Sequence, residues 1–229
     1  VILPFEKDFY KKHQVDAHFV GHPLLDAIED LPEINTEQFK KDHLLNEKEI
    51  IALLPGSREQ EVTKMIELML SVRPYFKDYQ FVIAGAPSLP KEFYQKFVDE
   101  NVHFVSNRTY DLLRCSRVAL VTSGTATLET ALLNIPEVVC YKSSTISYEI
   151  GKRVVKNIKY ISLVNLIMDE EIVTELIQKE LTTENLVREL NHILKGEKRN
   201  QMLSDFEKLQ NKLGGKGASD IAAEIIING

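Results

Sequence analysis

Two short turns in the sequence carry residues that could hold a phosphate. "LLPGSRE" places Pro55-Gly56-Ser57-Arg58 between an apolar run and a segment of helical period, and "LVTSGTATLET" places Ser123-Gly124-Thr125 in the same setting further on. A glycine at such a point lets the backbone turn tightly and lets a ligand approach it, while the helix that follows offers unpaired N–H groups and the positive end of its dipole to an anion. Ser57 could cap its helix or offer a hydroxyl, and Arg58 adds a planar cationic fork suited to phosphate. In the second turn two hydroxyls stand beside Gly124, and Glu129 follows Thr125 one helical turn on, on the same face. That carboxylate lies too far inside the helix to be a capping-box partner of Ser123. It is placed instead to accept hydrogen bonds from a sugar diol. The same residues also fit plain strand-to-helix turns, with Arg58 and Glu129 in solvent.

Two further stretches are weaker candidates. In "VSNRTYDLLRC", Arg108 and Tyr110 form a polar, aromatic loop that could pack on a flat base or be an ordinary connection. "YKSSTISYEIGKRVVKNIKY" sets Lys142, Lys152, Arg153, Lys156 and Lys159 against the single acid Glu149. Such a basic segment could face an anionic lipid surface or a negatively charged substrate, or be a solvated helix face. Metal chemistry is not expected: HExxH, Cys/His clusters and EF-hand loops are all missing. His22, in Gly-His-Pro, reads as a turn residue. Neither a GxSxG elbow, a complete P-loop nor a GxGxxG fingerprint occurs, which disfavours serine hydrolases, ATPases and dinucleotide oxidoreductases.

The elements that must position the turns follow from hydrophobic period. Apolar runs are each followed by a helical segment about six times: "IIALLPGSR" then "EQEVTKMIELMLSV", "FVIAGA" then "KEFYQKFVDE", "VHFVS" then "TYDLLRC", "VALVTSG" then "TATLETALL", "VVCYK" then "SYEIGKRVVKNI", and "YISLV" then "EEIVTELIQ". In the first helix Val62, Met65, Ile66, Met69 and Leu70 make one apolar face. Strands apolar throughout and separated by helices predict a doubly wound parallel α/β sheet from about residue 48 to 180. Ligands of such sheets bind beyond the carboxyl ends of the strands. Residues 183–228 read as charged helices, with Gly215 a natural C-cap and Ser219 a natural N-cap.

Composition narrows the class. The chain has 229 residues, 44% of them hydrophobic and 27% charged, and a net charge of −6, which suits a soluble globular protein and argues against nucleic-acid binding. Its two cysteines, Cys115 and Cys140, sit in apolar surroundings and fit a reducing cytoplasm. "VILPFEKDFY", which opens on Val1, resembles the end of a buried strand, and the expectation is that residues are missing before it.

Taken in order, "LPFEKDFY", "FVGHPLLDA", "LLPGSREQEV", "SGTATLETAL", "VVCYK", "ISLVNLI" and "ELIQ" resemble the lipid-A-disaccharide synthases, glycosyltransferases of the two-Rossmann GT-B architecture. The resemblance implies transfer of an acylated sugar from UDP-2,3-diacylglucosamine to 2,3-diacylglucosamine 1-phosphate (lipid X), giving a β-1,6-linked disaccharide and UDP by inverting displacement. It implies that Gly56, Ser57, Arg58, Ser123, Gly124 and Thr125 hold or balance the diphosphate, that Glu129 holds the ribose, and that Asn165 contacts the donor in the active centre. No metal or other cofactor is implied, since helix N-termini and cations can stabilise the leaving diphosphate. The implied organisation is a remnant of an N-terminal domain and a connection at 1–30, a Rossmann-like UDP-sugar domain at 31–182, and helices at 183–229 packing back toward the N-terminal domain. That domain would supply the acceptor site and a carboxylate base, so the chain alone would not turn over. A Gram-negative cytoplasm, peripheral attachment to the inner membrane and a homodimer are further expectations. Another UDP-sugar transferase or an epimerase fits the same fold, and so does a non-enzymatic module that binds a nucleotide or docks a membrane.

Overall fold

Apolar residues alternate between two faces along the first strand, and that alternation builds the molecule in layers. The computed structural model describes residues 1–122, 124–142 and 159–228. Strand β1 (Glu49–Leu54) sends Ile51 and Leu53 to one core and Ile50, Ala52 and Leu54 to the other, and all five are buried. A strand covered on both faces needs apolar side chains on both, which is why the run reads as continuously hydrophobic. Parallel to it lie β2 (Tyr79–Gly85), β3 (Val102–Ser106), β4 (Ser116–Thr122), β5 (Glu137–Tyr141) and β6 (Thr174–Ile177), in the order β3-β2-β1-β4-β5-β6. This is the doubly wound parallel α/β sheet that the strand-helix alternation predicts.

Helices cover the two faces through the residues their periods expose. On α4 (Glu59–Leu70), Val62, Met65, Ile66 and Met69 are buried in the core of Ile51 and Leu53, with Leu70 half-buried at its end. Leu112 and Leu113 of α6 (Thr109–Arg114) fill the opposite core together with Phe39 of α3 (Thr36–Asp42). Each such side chain removed from water contributes about 1.5–3 kcal/mol. The helix α5 (Lys91–Gln95) links β2 to β3, and α7 (Thr125–Leu132) packs on β4 and β5.

The sixth strand-helix unit is inverted relative to its prediction. "ISLV" does not form a strand: the Ser162 hydroxyl accepts from Asn165 N–H at 3.3 Å and starts a helix, α8 (Leu163–Met168). The strand is instead β6, cut from the stretch predicted as helix, and it pairs with β5 from Thr174 to Ile177. Short apolar runs carry no period that separates a strand from a buried helical turn. The open edge of β5 and a local cap decide the matter.

The expected boundary at 182 is not a break in packing. Leu186, Leu190 and Ile193 of α9 (Thr183–Leu194) and Met202, Phe206 and Leu209 of α10 (Glu197–Lys212) are buried in the same core as β1 and α4. Helix α9 lies against β4 and β5, and α10 against α7 and α8. Glu189 fastens α9 to α10 and β6: it accepts from Lys198 Nζ at 2.6 Å, Arg188 Nε at 3.0 Å and the Thr174 hydroxyl at 3.1 Å. Burial opposes its charge, but these donors outweigh burial and hold its pKa at about 2.

The last helix, α11 (Ala218–Asn228), packs against the N-terminal segment, which folds into α1 (Pro4–Lys12) and α2 (Pro23–Glu29) and also meets α7. The Asp26 carboxylate on α2 accepts from Gly217 N–H at 2.6 Å and Ser219 N–H at 3.2 Å. Ser219, expected as the N-cap, lies inside α11, and the cap arrives from a distant part of the chain. A carboxylate there satisfies orphan amides and meets the positive end of the helix dipole.

Three described residues, His103, Thr122 and Glu137, bury a side-chain polar atom without a hydrogen-bond partner among the described residues, and Glu137 is the acidic one. Glu137 opens β5 fully buried, and neither of its carboxyl oxygens finds a hydrogen-bond partner among the described residues. Burial raises its pKa well above the ordinary 4.5, and the charge of Glu175 raises it further. The folded chain therefore binds this proton more tightly than the unfolded chain does. The associated stability is complete below the ordinary value and is lost as pH rises toward the folded one. Urea unfolding of the parent and of Glu137→Gln across pH 4.5–8 should diverge, the parent losing up to about 1.4 kcal/mol per pH unit relative to the variant. Parallel profiles would mean that this carboxyl is not held protonated in the core.

Candidate functional site

The strand order reverses between β1 and β4, so the chains leaving their carboxyl ends turn away in opposite directions. They leave a cleft of about 380 Å³, lined by Gly56, Ser57, Gly85, Thr122, Thr125 and Glu129 among others. The two turns read from the sequence thus face each other at the topological switch point, where open α/β sheets bind their ligands. A larger recess, about 560 Å³, opens under the other end of the sheet. Its polar groups are engaged within the protein: Lys48 Nζ reaches Lys77 O at 2.8 Å, and Arg73 pairs with Asp99 at 2.8 Å.

In the first turn Pro55 is buried while Gly56, Ser57 and Arg58 are exposed. Gly56 has φ +97°, and a Cβ there would come no nearer than 3.7 Å to Thr122. The glycine is required by its backbone conformation and not by lack of room. Ser57 does not cap α4: Arg58 holds the N-cap position, extended, and no side chain caps it. The Ser57 carbonyl instead accepts from the Ser88 hydroxyl at 2.9 Å, which ties the turn to the loop after β2. Arg58 lies beside the cleft and is not one of the residues lining it.

In the second turn Ser123 lies outside the described residues. Gly124 is exposed at φ +151°, in a conformation that L side chains rarely adopt, and takes the N-cap position of α7. Gly124 has no side chain with which to cap this helix, and Thr127 folds back, its hydroxyl donating to Gly124 O at 2.9 Å. The leading N–H groups of α7, at Thr125 and Ala126, stand at the cleft wall, where an anion would meet them. One turn on, Glu129 lines the same cleft, half-buried, as its spacing from Thr125 predicts.

Glu129 is not alone. The phenol of Tyr110, in the first turn of α6, lies close enough to interact with its carboxylate. Burial raises the pKa of Glu129, and the nearby phenol acts against that rise. Burial, reinforced by the Glu129 charge, pushes the phenol up to about 12. Arg108, expected beside Tyr110 in a base-binding loop, is occupied elsewhere. Its guanidinium pairs with Asp111 and sits over the Phe39 ring at 6.0 Å, so Thr109 alone of this loop lines the cleft.

Asn165 leaves the candidate site altogether. It is fully buried; its Nδ2 donates to Val173 O at 2.8 Å and Glu175 Oε1 at 2.9 Å, and its Oδ1 accepts from the Ile172 and Val173 N–H groups at 2.9 and 3.0 Å. No hydrogen-bonding capacity remains for a ligand. It is the clamp that bends the chain from α8 into β6. Lys152, Arg153 and Lys156 lie outside the described residues.

Two contributors were missed in the sequence. Thr122, the last residue of β4, lines the cleft, and its hydroxyl oxygen is buried without a hydrogen-bond partner among the described residues. A threonine directly after the apolar run Val118–Val121 was the available signal. Gly85 forms another wall, where any Cβ would sit 2.1 Å from the Phe104 ring. That ring stacks on Tyr94 at 4.5 Å, whose hydroxyl accepts from Ala86 N–H at 3.0 Å and pins the end of β2.

With this geometry in hand, likeness to known proteins has a place to fall. A sequence profile of the lipid-A-disaccharide synthetase family matches residues 1–226. A lipid-A-disaccharide synthase of Syntrophus aciditrophicus is 36% identical over 97% of the chain and 60% of its own length. One from Persephonella marina is 36% identical over 98% of the chain and 63% of its own length. The chain thus spans about 60% of the length of such curated relatives. Among solved structures, the UDP-GlcNAc 2-epimerase of Neisseria meningitidis bound to UDP-GlcNAc superposes with a TM-score of 0.65 at 17% identity, over 100% of this chain and 61% of that one. The S. aureus MnaA–UDP co-structure gives 0.53 at 17% identity, over 90% of this chain and 53% of that one. At such identity these likenesses show the fold.

The new place of Asn165 is testable. Replacing it with alanine strands two buried N–H groups and a buried carbonyl, and stability to urea should fall by about 3–5 kcal/mol. A variant as stable as the parent would return Asn165 to the list of ligand contacts.

Proposed function

We infer, since the chain belongs to the lipid-A-disaccharide synthase family, that it carries the nucleotide-binding part of a hexosyltransferase and that its cleft takes the UDP portion of a UDP-sugar donor. The observation that carries this reading is the convergence of Gly56, Thr125 and Glu129 on one cleft at the switch point of the sheet. The diphosphate would lie against the N-termini of α4 and α7, where backbone N–H groups and helix dipoles meet negative charge. Glu129 would accept hydrogen bonds from the ribose hydroxyls.

The proposed reaction is transfer of 2,3-diacylglucosamine from UDP to 2,3-diacylglucosamine 1-phosphate. The acceptor hydroxyl attacks the anomeric carbon on the face opposite UDP, the bond to the diphosphate oxygen breaks, and the hydroxyl proton passes to a general base. A carboxylate of the N-terminal domain fits that role by resemblance to the family. Charge accumulates on the departing diphosphate, and the oriented amides of the two turns with the Arg58 guanidinium would stabilise it without a metal ion. Acylated substrates place the reaction at a membrane surface. Among the described residues no helix is long and apolar enough to cross a membrane, and we place the protein at the periphery of the inner membrane.

An epimerase of UDP-sugars would use the same cleft, and the neighbour holding UDP-GlcNAc supports a nucleotide-sugar ligand under either reading. The family match along the chain favours the transferase. Calorimetric titration of the chain with UDP should show binding that weakens by about 1–3 kcal/mol in Glu129→Ala. Equal binding by parent and variant would remove Glu129 from the site, and no binding by either would remove the nucleotide.

A further inference from the structure

We propose that Thr122 is a specificity-determining residue for the diphosphate: its hydroxyl, stranded in the free chain, turns into the cleft and donates to a phosphate oxygen when a nucleoside diphosphate is bound. The proposal rests on the nucleotide reading above and adds to it a donor at a strand end, where the two turns meet.

The position of the side chain carries the argument. Thr122 closes β4 and lines the cleft. A Cβ on Gly56 would have two neighbours within 4 Å, the Thr122 methyl carbon Cγ2 at 3.7 Å and the Thr122 Cβ at 3.9 Å. The methyl group therefore faces the first turn. The hydroxyl oxygen lies farther from it, shut off from solvent and without a hydrogen-bond partner among the described residues. No other hydroxyl among those residues is buried in that condition. On or beside the same turns, the hydroxyls of Thr127, Thr130 and Ser88 each donate to a carbonyl: Gly124 O at 2.9 Å, Ala126 O at 2.7 Å and Ser57 O at 2.9 Å.

A stranded hydroxyl lowers stability where an isosteric valine would not. The four buried residues before it, Val118–Val121, show that apolar side chains fit this strand. What the hydroxyl offers is a donor close to the N-termini of α4 and α7. Methyl and hydroxyl share one Cβ, so a rotation of about 120° about χ1 exchanges their places. Gly56, with no side chain, leaves open the space into which the hydroxyl swings. Binding then gains a hydrogen bond to a charged acceptor and removes a buried unpaired group in the same motion. A nucleoside without phosphates brings no such acceptor, and Glu129, one helical turn beyond Thr125, is left to the ribose.

The test compares the whole parent chain with Thr122→Val, which keeps the shape and removes the hydroxyl, and with Thr122→Ser, which keeps the hydroxyl. Thermal melts are recorded without ligand; UDP is titrated by calorimetry and uridine by NMR chemical shift. Thr122→Val should melt about 2–6 °C above the parent, because it buries no unpaired group. It should bind UDP about ten- to hundredfold more weakly, while its affinity for uridine stays within about twofold of the parent's. Thr122→Ser should bind UDP like the parent. A valine variant with parental UDP affinity, or one that loses UDP and uridine alike, overturns the role at the diphosphate and leaves the nucleotide reading standing. So does a serine variant that loses as much UDP affinity as the valine, since the effect would then belong to the methyl group. A valine variant that melts at or below the parental temperature means that the hydroxyl is not stranded in the free chain, and it overturns the proposal too. Absence of UDP binding by the parent overturns both readings.

Discussion

The reversal of strand order between β1 and β4 is the constraint on which the rest depends. Parallel strands must be joined by crossovers, and a chain that builds outward first to β3 and then back across to β6 cannot keep its connections together at the point where it started. The gap is unavoidable, and it opens at the carboxyl ends, where helices begin. Two N-termini therefore face one cleft, and the glycines at 56 and 124 allow the backbone to turn there at positive φ. That two helix N-termini, where an anion would be favoured, are directed at one gap follows from topology before any side chain is considered. Glu129 adds a half-buried carboxylate on a helix already aimed at the gap.

The carboxylates of this chain show how environment, and not residue type, assigns roles. Glu189 collects cationic and hydroxyl donors, stays charged, and fastens α9 to α10 and β6. Glu175 accepts four hydrogen bonds from Ile161, Ser162 and Asn165 and closes the turn between α8 and β6. Glu137, in the same sheet, finds no donor among the described residues, and burial raises its pKa well above the ordinary carboxylate range. Glu129 lies between these extremes, half-buried at the wall of the cleft, with its pKa raised by burial.

The body of the protein is wider than the sheet and its crossover helices. Burying Phe206 and Leu209 of α10 against α7 and α8 makes the C-terminal helices part of the support of the second turn, because α7 carries Gly124 and Glu129 at its other side. The N-terminal segment is joined to α11 through Asp26, so the two ends of the chain form one corner of the structure. Rigidity at the cleft thus draws on contacts well removed from it in sequence, as precise placement of a binding group requires.

By itself the sequence determined whatever is encoded locally. The apolar face of α4 is written in a 3.6-residue period, the first five strands in short runs of buried residues, and the two turns in glycines followed by helix formers. The spacing of Thr125 and Glu129 placed both on one side of α7, because a helix fixes that geometry whatever surrounds it. Only the tertiary structure decided that "ISLV" is helical and "TELI" a strand, that Asn165 clamps a turn, that Asp26 and not Ser219 caps α11, and that Arg108 turns to Asp111 and away from the cleft. In most of these the deciding partner lies far off in sequence or on another element, and a short segment with two near-equal local options takes the one that satisfies its buried polar groups.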